Sequence, residues 1–359
     1  MSGAEKRVGI IIVNWRGWRD TIECLESVFR MNSSDFRVIV CDNASGDGSL
    51  DHIESWAKGT EPAGCQNPEL SYLVDPPLLK PLPCVRVAEG EPEMKGALLA
   101  SSLLLVQGDH NGGFAAGCNL GIRIALLDDG CDVIWLLNND TVVDPEAMSA
   151  AVRLMDEKGL GMCGSMTPFY YKPTIVQVKG GLNYQRWTGR VLVRDGLTVE
   201  TALSEPHETH LDFINGASWF LHRSALERCG LLNQSYFLYF EELDYASRLT
   251  GMMDWDFAAD SVVYHKAGAS AGSARDRMQR SERAEYYATR ARVLIARRYF
   301  SWAVVTNLLT IVGGITFRAV KGRRGLAKAM LRGALSGLTE KLQPIPMLAA
   351  PEARTGGDA

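Results

Sequence analysis

Three carboxylates fall within four positions, Glu241, Glu242 and Asp244, and a lone histidine, His265, follows about twenty residues later behind Val263-Tyr264. Clustered like charges raise the pKa of at least one member, which suits a general base. On a helix Glu241 and Asp244 share a face and Glu242 points elsewhere, so each also has a capping or structural reading. Upstream, Leu136-Leu137-Asn138-Asn139-Asp140-Thr141 ends an apolar run in a polar, acidic tip. One carboxylate beside two amides is a partial site for a hard divalent cation, which takes oxygen ligands and completes its shell with phosphates and water. His265 is the candidate further ligand, and an imidazole suits Mn²⁺ better than Mg²⁺; a satisfied core histidine is the plain alternative. Together these groups imply acid/base chemistry beside a metal-held diphosphate, as on a sugar nucleotide.

Such groups need a frame. Val8–Val13 is a short, wholly apolar run that reads as a central parallel strand. Asp20–Arg30 has helical spacing, and Arg37–Cys41 is a second buried strand ending in Asp42-Asn43-Ala44-Ser45. Strand, helix, strand predicts a right-handed βαβ unit and an α/β fold with a doubly wound, mostly parallel sheet. Open sheets of this kind bind ligands at the carboxyl ends of their strands, where Asp42 and Asp140 both fall. Asp42 is placed to accept hydrogen bonds from a base or ribose, with Asn43 and Ser45 shaping the loop; a polar strand-to-turn junction is the alternative. Asp109–Asn119 is a Gly-rich loop opening a helix, so backbone amides can approach an anionic ligand. It matches neither G-x-G-x-x-G nor G-x-x-x-x-G-K-[ST].

Further elements follow from periodicity and stop signals: a strand at Val133–Leu137, a helix over 145–158 behind Asp144 as N-cap, and short strands over 177–199. A short helix at Ser224–Cys229 stops at Gly230; a helix at Glu241–Leu249 and a strand at Ser261–Tyr264 complete the set. Residues 60–107 carry seven prolines and read as an irregular insertion ending in the apolar piece Ala97–Val106.

The chain has 359 residues, 46% of them hydrophobic, enough for one large domain with an appendage. Its formal charge of -4 hides an asymmetry: 14 Lys/Arg stand against 3 Asp/Glu from Arg275 to Arg332, and 22 against 36 in residues 1–274. A basic arm on an acidic body calls for an anionic partner. Within the arm, Tyr299–Phe317 lacks charge; Val304, Leu308, Ile311 and Ile315 form one stripe, with Thr306, Thr310 and Gly313 opposite and basic residues on both flanks. The pattern fits an interfacial amphipathic helix on an anionic membrane surface better than a span, with a helix packed on its own domain as the alternative. The arm lacks interleaved exposed aromatics, which argues against nucleic acid. Eight cysteines without C-x-x-C spacing read as reduced thiols of a cytosolic protein, and no signal peptide is expected before Val8.

Val8–Trp15, Cys41–Ser49, Asn111–Asn119, Leu137–Thr141, Asn215-Gly216-Ala217 with Tyr236–Asp244, and Val263–Ser270, in this order, resemble the family-2 glycosyltransferases, especially their bacterial rhamnosyltransferase-like branch. The series covers residues 8–50 and 109–298. The resemblance implies a GT-A fold and an inverting single displacement. It implies that Asp42 contacts the nucleotide base, with Val13, Asn14, Asn43, Ser45, Asn111, Gly113, Phe114, Asn119, Asn138 and Asn139 around the donor. Asp140 matches the last acid of the family's D-x-D and His265 a further ligand of Mn²⁺ or Mg²⁺. Glu242 stands where the family has its aspartate base, with Asp244 in reserve and Glu241 positioning acceptor or helix. Gly216 and Trp219 lie on the acceptor side, although core packing also suits Trp219. Two departures stand out: Asn138 replaces the first acid of D-x-D, and Glu242 is one methylene longer than Asp.

The resemblance further implies a nucleoside-diphosphate sugar donor, deoxythymidine-diphosphate rhamnose being the branch's common one. The acceptor would be a glycan or a polyprenyl-diphosphate-linked sugar of cell-surface polysaccharide synthesis. Residues 1–274 would form the catalytic domain, 275–342 a membrane-surface arm holding the enzyme to the inner face of the cell membrane, and 343–359 a disordered tail. A sugar-phosphate nucleotidyltransferase would want a basic Gly-rich loop near the first strand, and Asn14–Arg19 offers two arginines but little else. A non-catalytic glycan-binding homologue is the other alternative, to which the departures at Asn138 and Glu242 would be suited.

Overall fold

The computed structural model describes residues 7–33, 35–194, 196–207, 210–266 and 280–348. The apolar run near the start forms β1 (Arg7–Asn14), followed by α1 (Trp18–Val28), β2 (Phe36–Asp42) and α2 (Ser49–Lys58). Then come β3 (Cys84–Ala88), α3 (Met94–Ala100), β4 (Leu103–Gln107), α4 (Phe114–Ala125), β5 (Cys131–Asn138), β6 (Thr141–Val143) and α5 (Ala147–Lys158). A meander of β7 (Met162–Phe169), β8 (Lys172–Lys179), β9 (Gly181–Gln185) and β10 (Arg190–Leu192) leads to α6 (Val199–Ser204), β11 (Phe213–Ile214), β12 (Ser218–His222) and α7 (Arg223–Cys229). The chain continues with α8 (Glu241–Leu249) and β13 (Trp255–His265), and closes on α9 (Glu282–Tyr299), α10 (Val304–Val320) and α11 (Arg324–Thr339).

Ten strands form the main sheet, in the order β3-β4-β2-β1-β5-β12-β7-β13-β6 with β8 beside β7. β1 pairs in parallel with β2 on one side and β5 on the other. The chain winds outward from β1 to β4 and returns across it to β5. The carboxyl ends of β1 and β5 therefore flank a switch point, where a crevice opens in such sheets. Side chains alternate across the sheet. Ile10 and Ile12 join the core under α1, α2 and α5, while Ile11 joins the core under α4, α8 and α9.

The expected irregular insertion is partly wrong. Residues 84–107 supply β3 and β4, and β4 pairs with β2 along Leu103–Gln107. Irregular chain is confined to residues 60–83, and even there Pro68–Leu73 form a short 3-10 helix whose Leu70 and Leu73 are buried against Val142 and Tyr170. α5 starts at Ala147, two residues past Pro145, with Asp144 Oδ1 accepting from the Glu146 amide at 3.0 Å. β13 is longer than the expected strand at Ser261–Tyr264.

The C-terminal region is no separate arm. Ala291, Leu294 and Ile295 of α9 are buried in the main core. Arg297 Nη1 donates to the Gly337 and Glu340 carbonyls at 2.6 and 2.8 Å, tying α9 to the end of α11. Arg318, expected to flank a membrane helix, is buried in an ion pair with Glu285 at 2.9 Å. The stripe expected to face lipid is the face that packs on the protein: Leu308, Ile311 and Ile315 meet Val293, Met330 and Ala334. The tail also begins ordered, since the Leu231 amide donates to the Pro346 carbonyl at 2.8 Å; residues 349–359 lie outside the described residues. So do residues 267–270 of the last matching segment.

Candidate active site

The crevice at the end of β1 is organised around Asp42, which is 2% exposed. Asn14 Nδ2 donates to Asp42 Oδ1 at 2.6 Å, and the Ser45 hydroxyl donates to the same oxygen at 2.6 Å. Asp42 Oδ2 accepts from the Ser45 amide at 2.9 Å and from Gln107 Nε2 at 3.4 Å. Ser45 Oγ in turn accepts from the Arg16 amide at 2.9 Å. The motif residues Asn14, Asp42 and Ser45 thus form one network bridging the ends of β1 and β2. Gln107, at the end of β4, joins them; the prolines of residues 60–107 hide its strand in the sequence. Asn43 Nδ2 donates to the Gly113 carbonyl at 2.9 Å, and Asn111 Oδ1 accepts from the Gly113 amide at 3.0 Å. Gly113 has φ 88°, and a Cβ there would collide with the Phe237 backbone. Its lack of a side chain thus serves a close approach between loops, and the Phe114 amide donates to the Phe237 carbonyl at 2.8 Å. Val13, half-buried, sits against Gly117 of α4, where a Cβ would crowd both its methyls.

On the other side of the switch point, β5 ends in Asn138-Asn139-Asp140. Asn139 Nδ2 donates to Thr21 Oγ1 at 3.1 Å, and Thr21 Oγ1 donates to Asn14 Oδ1 at 3.0 Å, so the tips of β1 and β5 are joined. Asp140 Oδ1 lies 3.3 Å from His265 Nε2. The other ring nitrogen, Nδ1, is 2.8 Å from Gln177 Oε1. An Nδ1–H donated to that amide oxygen would orient the ring and leave Nε2 of the neutral imidazole available to a cation held between it and Asp140. Among the described residues no group of three or more His, Cys, Asp or Glu side chains could hold a metal ion. The pair therefore fits a cation that takes its remaining ligands from a diphosphate and water, and not a cage built by protein alone. Lys266 fixes this strand end: its buried ammonium pairs with Glu23 and, at 2.6 Å, with Asp20 of α1. The local sequence gives no sign of that clamp, because Asp20 and Glu23 lie at the other end of the chain.

The carboxylates of α8 divide into different environments. Phe237, Tyr239 and Phe240 all have positive φ, 65°, 74° and 69°. Non-glycine residues there cost on the order of 1–3 kcal/mol each and persist where surroundings fix them, commonly at functional sites. This segment delivers Glu242 to the wall of a cavity of about 980 Å³. Burial pushes the Glu242 carboxyl up to about 7, with the backbone amides of Glu242 and Gly216 acting in the opposite direction. Gly216 leaves room for that carboxyl, since a Cβ at this position would overlap it. The following residue, Ala217, accepts a hydrogen bond from the Asn138 amide at 3.0 Å. Gly216-Ala217 thus connects Glu242 to the tip of β5. Gly216→Ala is expected to displace the Glu242 carboxyl and lower turnover at least tenfold while leaving thermal melting within a few degrees; unchanged kcat would show that the carboxyl position is immaterial.

Four expected site residues do other work. Asp244 is fully buried and accepts from the Tyr236 and Tyr299 hydroxyls at 3.0 and 2.9 Å and from Arg248 Nε at 2.9 Å. Its carboxylate is spent on holding α8 to α9, which removes it as reserve base. Glu241 is 2% exposed; burial first, and then Glu242, raise its carboxyl well above the usual range. It is an interior acid, out of reach of an acceptor. Trp219 is fully buried in the core against Tyr245, with centroids 5.9 Å apart, and has no face for a sugar. Asn119, also fully buried, exchanges both its amide hydrogen bonds with the Leu232 backbone at 2.8 and 2.9 Å, so it braces the loop and does not reach a donor.

No protein-family model matches the chain, and no curated protein matches it in sequence. Solved structures do match in fold. The mannosyltransferase PcManGT from Pyrobaculum calidifontis, in complex with GDP-Man and Mn²⁺, superposes with a TM-score of 0.52 at 14% identity, over 94% of this chain and 88% of that one. GalNAc-T7, with UDP, GalNAc and Mn²⁺, gives a TM-score of 0.52 at 13% identity, over 83% of this chain and 49% of that one. Both are glycosyltransferases, and this chain shares the GT-A fold: a mostly parallel central sheet flanked by helices, here with three further helices at the C-terminal end.

Proposed function

We propose that the chain is an inverting glycosyltransferase of the family-2 type that moves a sugar from a nucleoside-diphosphate donor to an acceptor hydroxyl. Glu242 carries this reading: a carboxyl pushed up to about 7, on the wall of a large cavity, linked by Gly216-Ala217 to the Asp140–His265 pair. The GDP-Man and UDP bound by the two structural neighbours, each with Mn²⁺, support the donor class.

The residues then take these roles. The crevice between the tips of β1 and β5 receives the nucleotide. Base contact at Asp42 draws on the oxygen now held by Gln107, whose 3.4 Å bond is the longest to that carboxylate. Asn138 and Asn139 would frame the diphosphate, and Asp140 with His265 would hold a divalent cation. Such a cation, when bound, neutralises charge gathering on the leaving diphosphate. Glu242 takes the proton of the acceptor hydroxyl as it attacks the anomeric carbon from the opposite face. The motif series of the rhamnosyltransferase-like branch makes deoxythymidine-diphosphate rhamnose the first donor to try.

Thermal melting against nucleoside diphosphates and their sugars, with Mn²⁺, Mg²⁺ or chelator, tests the donor site. A ligand bound only by the folded state at 100 times its Kd adds about 2.7 kcal/mol. A metal-dependent rise with one nucleotide is expected; no rise with any of them leaves the non-catalytic reading standing. Gln177→Leu is expected to weaken the metal-dependent part about 10–100-fold in metal concentration, because the imidazole loses the partner that orients it. An unaltered Mn²⁺ titration in that variant would remove His265 from the metal site.

A further inference from the structure

We propose that the outward faces of α10 and α11 form a docking surface for an anionic lipid bilayer.

α10 is apolar on two sides. Its inner side is fixed: Leu308, Ile311 and Ile315 pack on α9 and α11, Asn307 Nδ2 donates to the Arg186 carbonyl at 2.8 Å, and Arg318 pairs with Glu285. Ser301–Val320 is long and apolar enough to span a membrane, with a mean hydropathy of 1.6. A spanning pose would break all of these inner contacts and draw the Arg318–Glu285 pair into hydrocarbon, where ions are costly. The outer side is free of such ties. Val305, Leu309, Val312 and Val320 are 67%, 67%, 57% and 80% exposed, at spacings that keep them on one helix face. Leu331, Leu335 and Leu338 of α11 are exposed at the same helical spacing. Two exposed apolar rows on neighbouring helices point to a partner.

The rim says which one. Trp187 of the β9–β10 turn and Trp302, both more than half exposed, stack edge-on at 4.4 Å at the start of α10, the kind of amphipathic ring that settles at headgroup level. At its other end Lys321, Arg323, Arg324 and Lys328 are exposed. No acidic residue occurs between Glu285 and Glu340. Apolar faces bordered by basic residues lie in the plane of anionic membranes. The same charge would set a second copy's identical face against it in repulsion.

The large cavity borders α10 on another side, at Thr310, Gly313, Gly314 and Phe317, which keeps Val305 and Leu309 clear of it.

The test is flotation of the full chain with phosphatidylcholine vesicles, with and without phosphatidylglycerol, for the wild type and for Val305→Asp/Leu309→Asp. Both side chains are exposed and outside the cavity lining. The wild type is expected to float with anionic vesicles only, and the double variant to show at least tenfold less bound protein with unchanged melting and nucleotide response. A wild type left in the supernatant, equal binding to neutral vesicles, or undiminished binding of the variant overturns the proposal. So does a dimer that the variant breaks, since the face then belongs to a second copy. Flotation without stabilisation by any nucleotide upholds the docking surface and sinks the transferase reading alone.

Discussion

Glu242→Gln is expected to lower turnover ~10²–10⁴-fold, the usual contribution of a positioned general base, while the melting shift with nucleotide and metal stays as in the wild type. The amide keeps the shape that fits over Gly216 and loses only the ability to take a proton. The pH profile gives an independent reading. With its carboxyl pushed up to about 7, the base is ionised only above that value, so kcat is expected to rise through about pH 7 and then level off. Stability runs the other way. The folded value lies above the ~4.3 of a free glutamate, so the folded state holds the extra proton between the two. The associated stability is complete below ~pH 4.3 and is lost as pH rises through about 7. Glu241, raised well above its usual range by burial, adds a loss of the same sign. The Gln variant should therefore melt less pH-dependently than the wild type across that window. Turnover that survives in it would place the base elsewhere on the cavity wall.

Legibility from sequence followed the strength of the periodic signal. Val8–Val13 and Arg37–Cys41 were readable as buried parallel strands because a strand covered on both faces is apolar throughout. β3, by contrast, reads Cys84-Val85-Arg86-Val87-Ala88 and is an edge strand with only Val87 buried; prolines around it concealed its pairing with β4. For the site, apolar runs and helical spacing were enough to put Asn14, Asp42 and His265 at the ends of β1, β2 and β13 and Glu242 at the start of α8. Depth was the missing quantity. Trp219 and Asn119 lie inside matching or adjacent motifs, yet both point into the core, and nothing in residue type separates a buried tryptophan from a stacking platform. Similarly, the stripe Leu308–Ile311–Ile315 was found by periodicity, but which of two apolar faces meets the protein depends on α9 and α11, which no local pattern specifies. Gln177 and Lys266 act through strands far apart in sequence, so their roles emerge only once the sheet has formed.

The same missing depth separates Glu242 from Asp244, and the second large effect follows from it. Asp244→Ala is expected to destabilise the fold by about 3–5 kcal/mol, the cost of removing one partner from a buried ion pair. Arg248, with 11% of its side chain exposed, would lose its counter-ion, although it still donates to the Leu231 carbonyl at 3.0 Å. The Tyr236 and Tyr299 hydroxyls would lose their acceptor as well. Tyr299 lies on α9, which carries α10 and α11 against the body, so the loss spreads to the cavity and the docking face. Domains are stable by only 5–15 kcal/mol, which makes a large drop in the urea midpoint, or outright failure to fold, the expected result. Asp244→Asn should fall between, since an amide oxygen still accepts from both tyrosines but offers Arg248 no charge. The contrast with Glu242→Gln decides the assignment: one substitution should remove turnover and keep the fold, the other should damage the fold first. An Asp244→Ala protein that melts like the wild type, binds nucleotide and fails to turn over would reverse the roles of the two carboxylates.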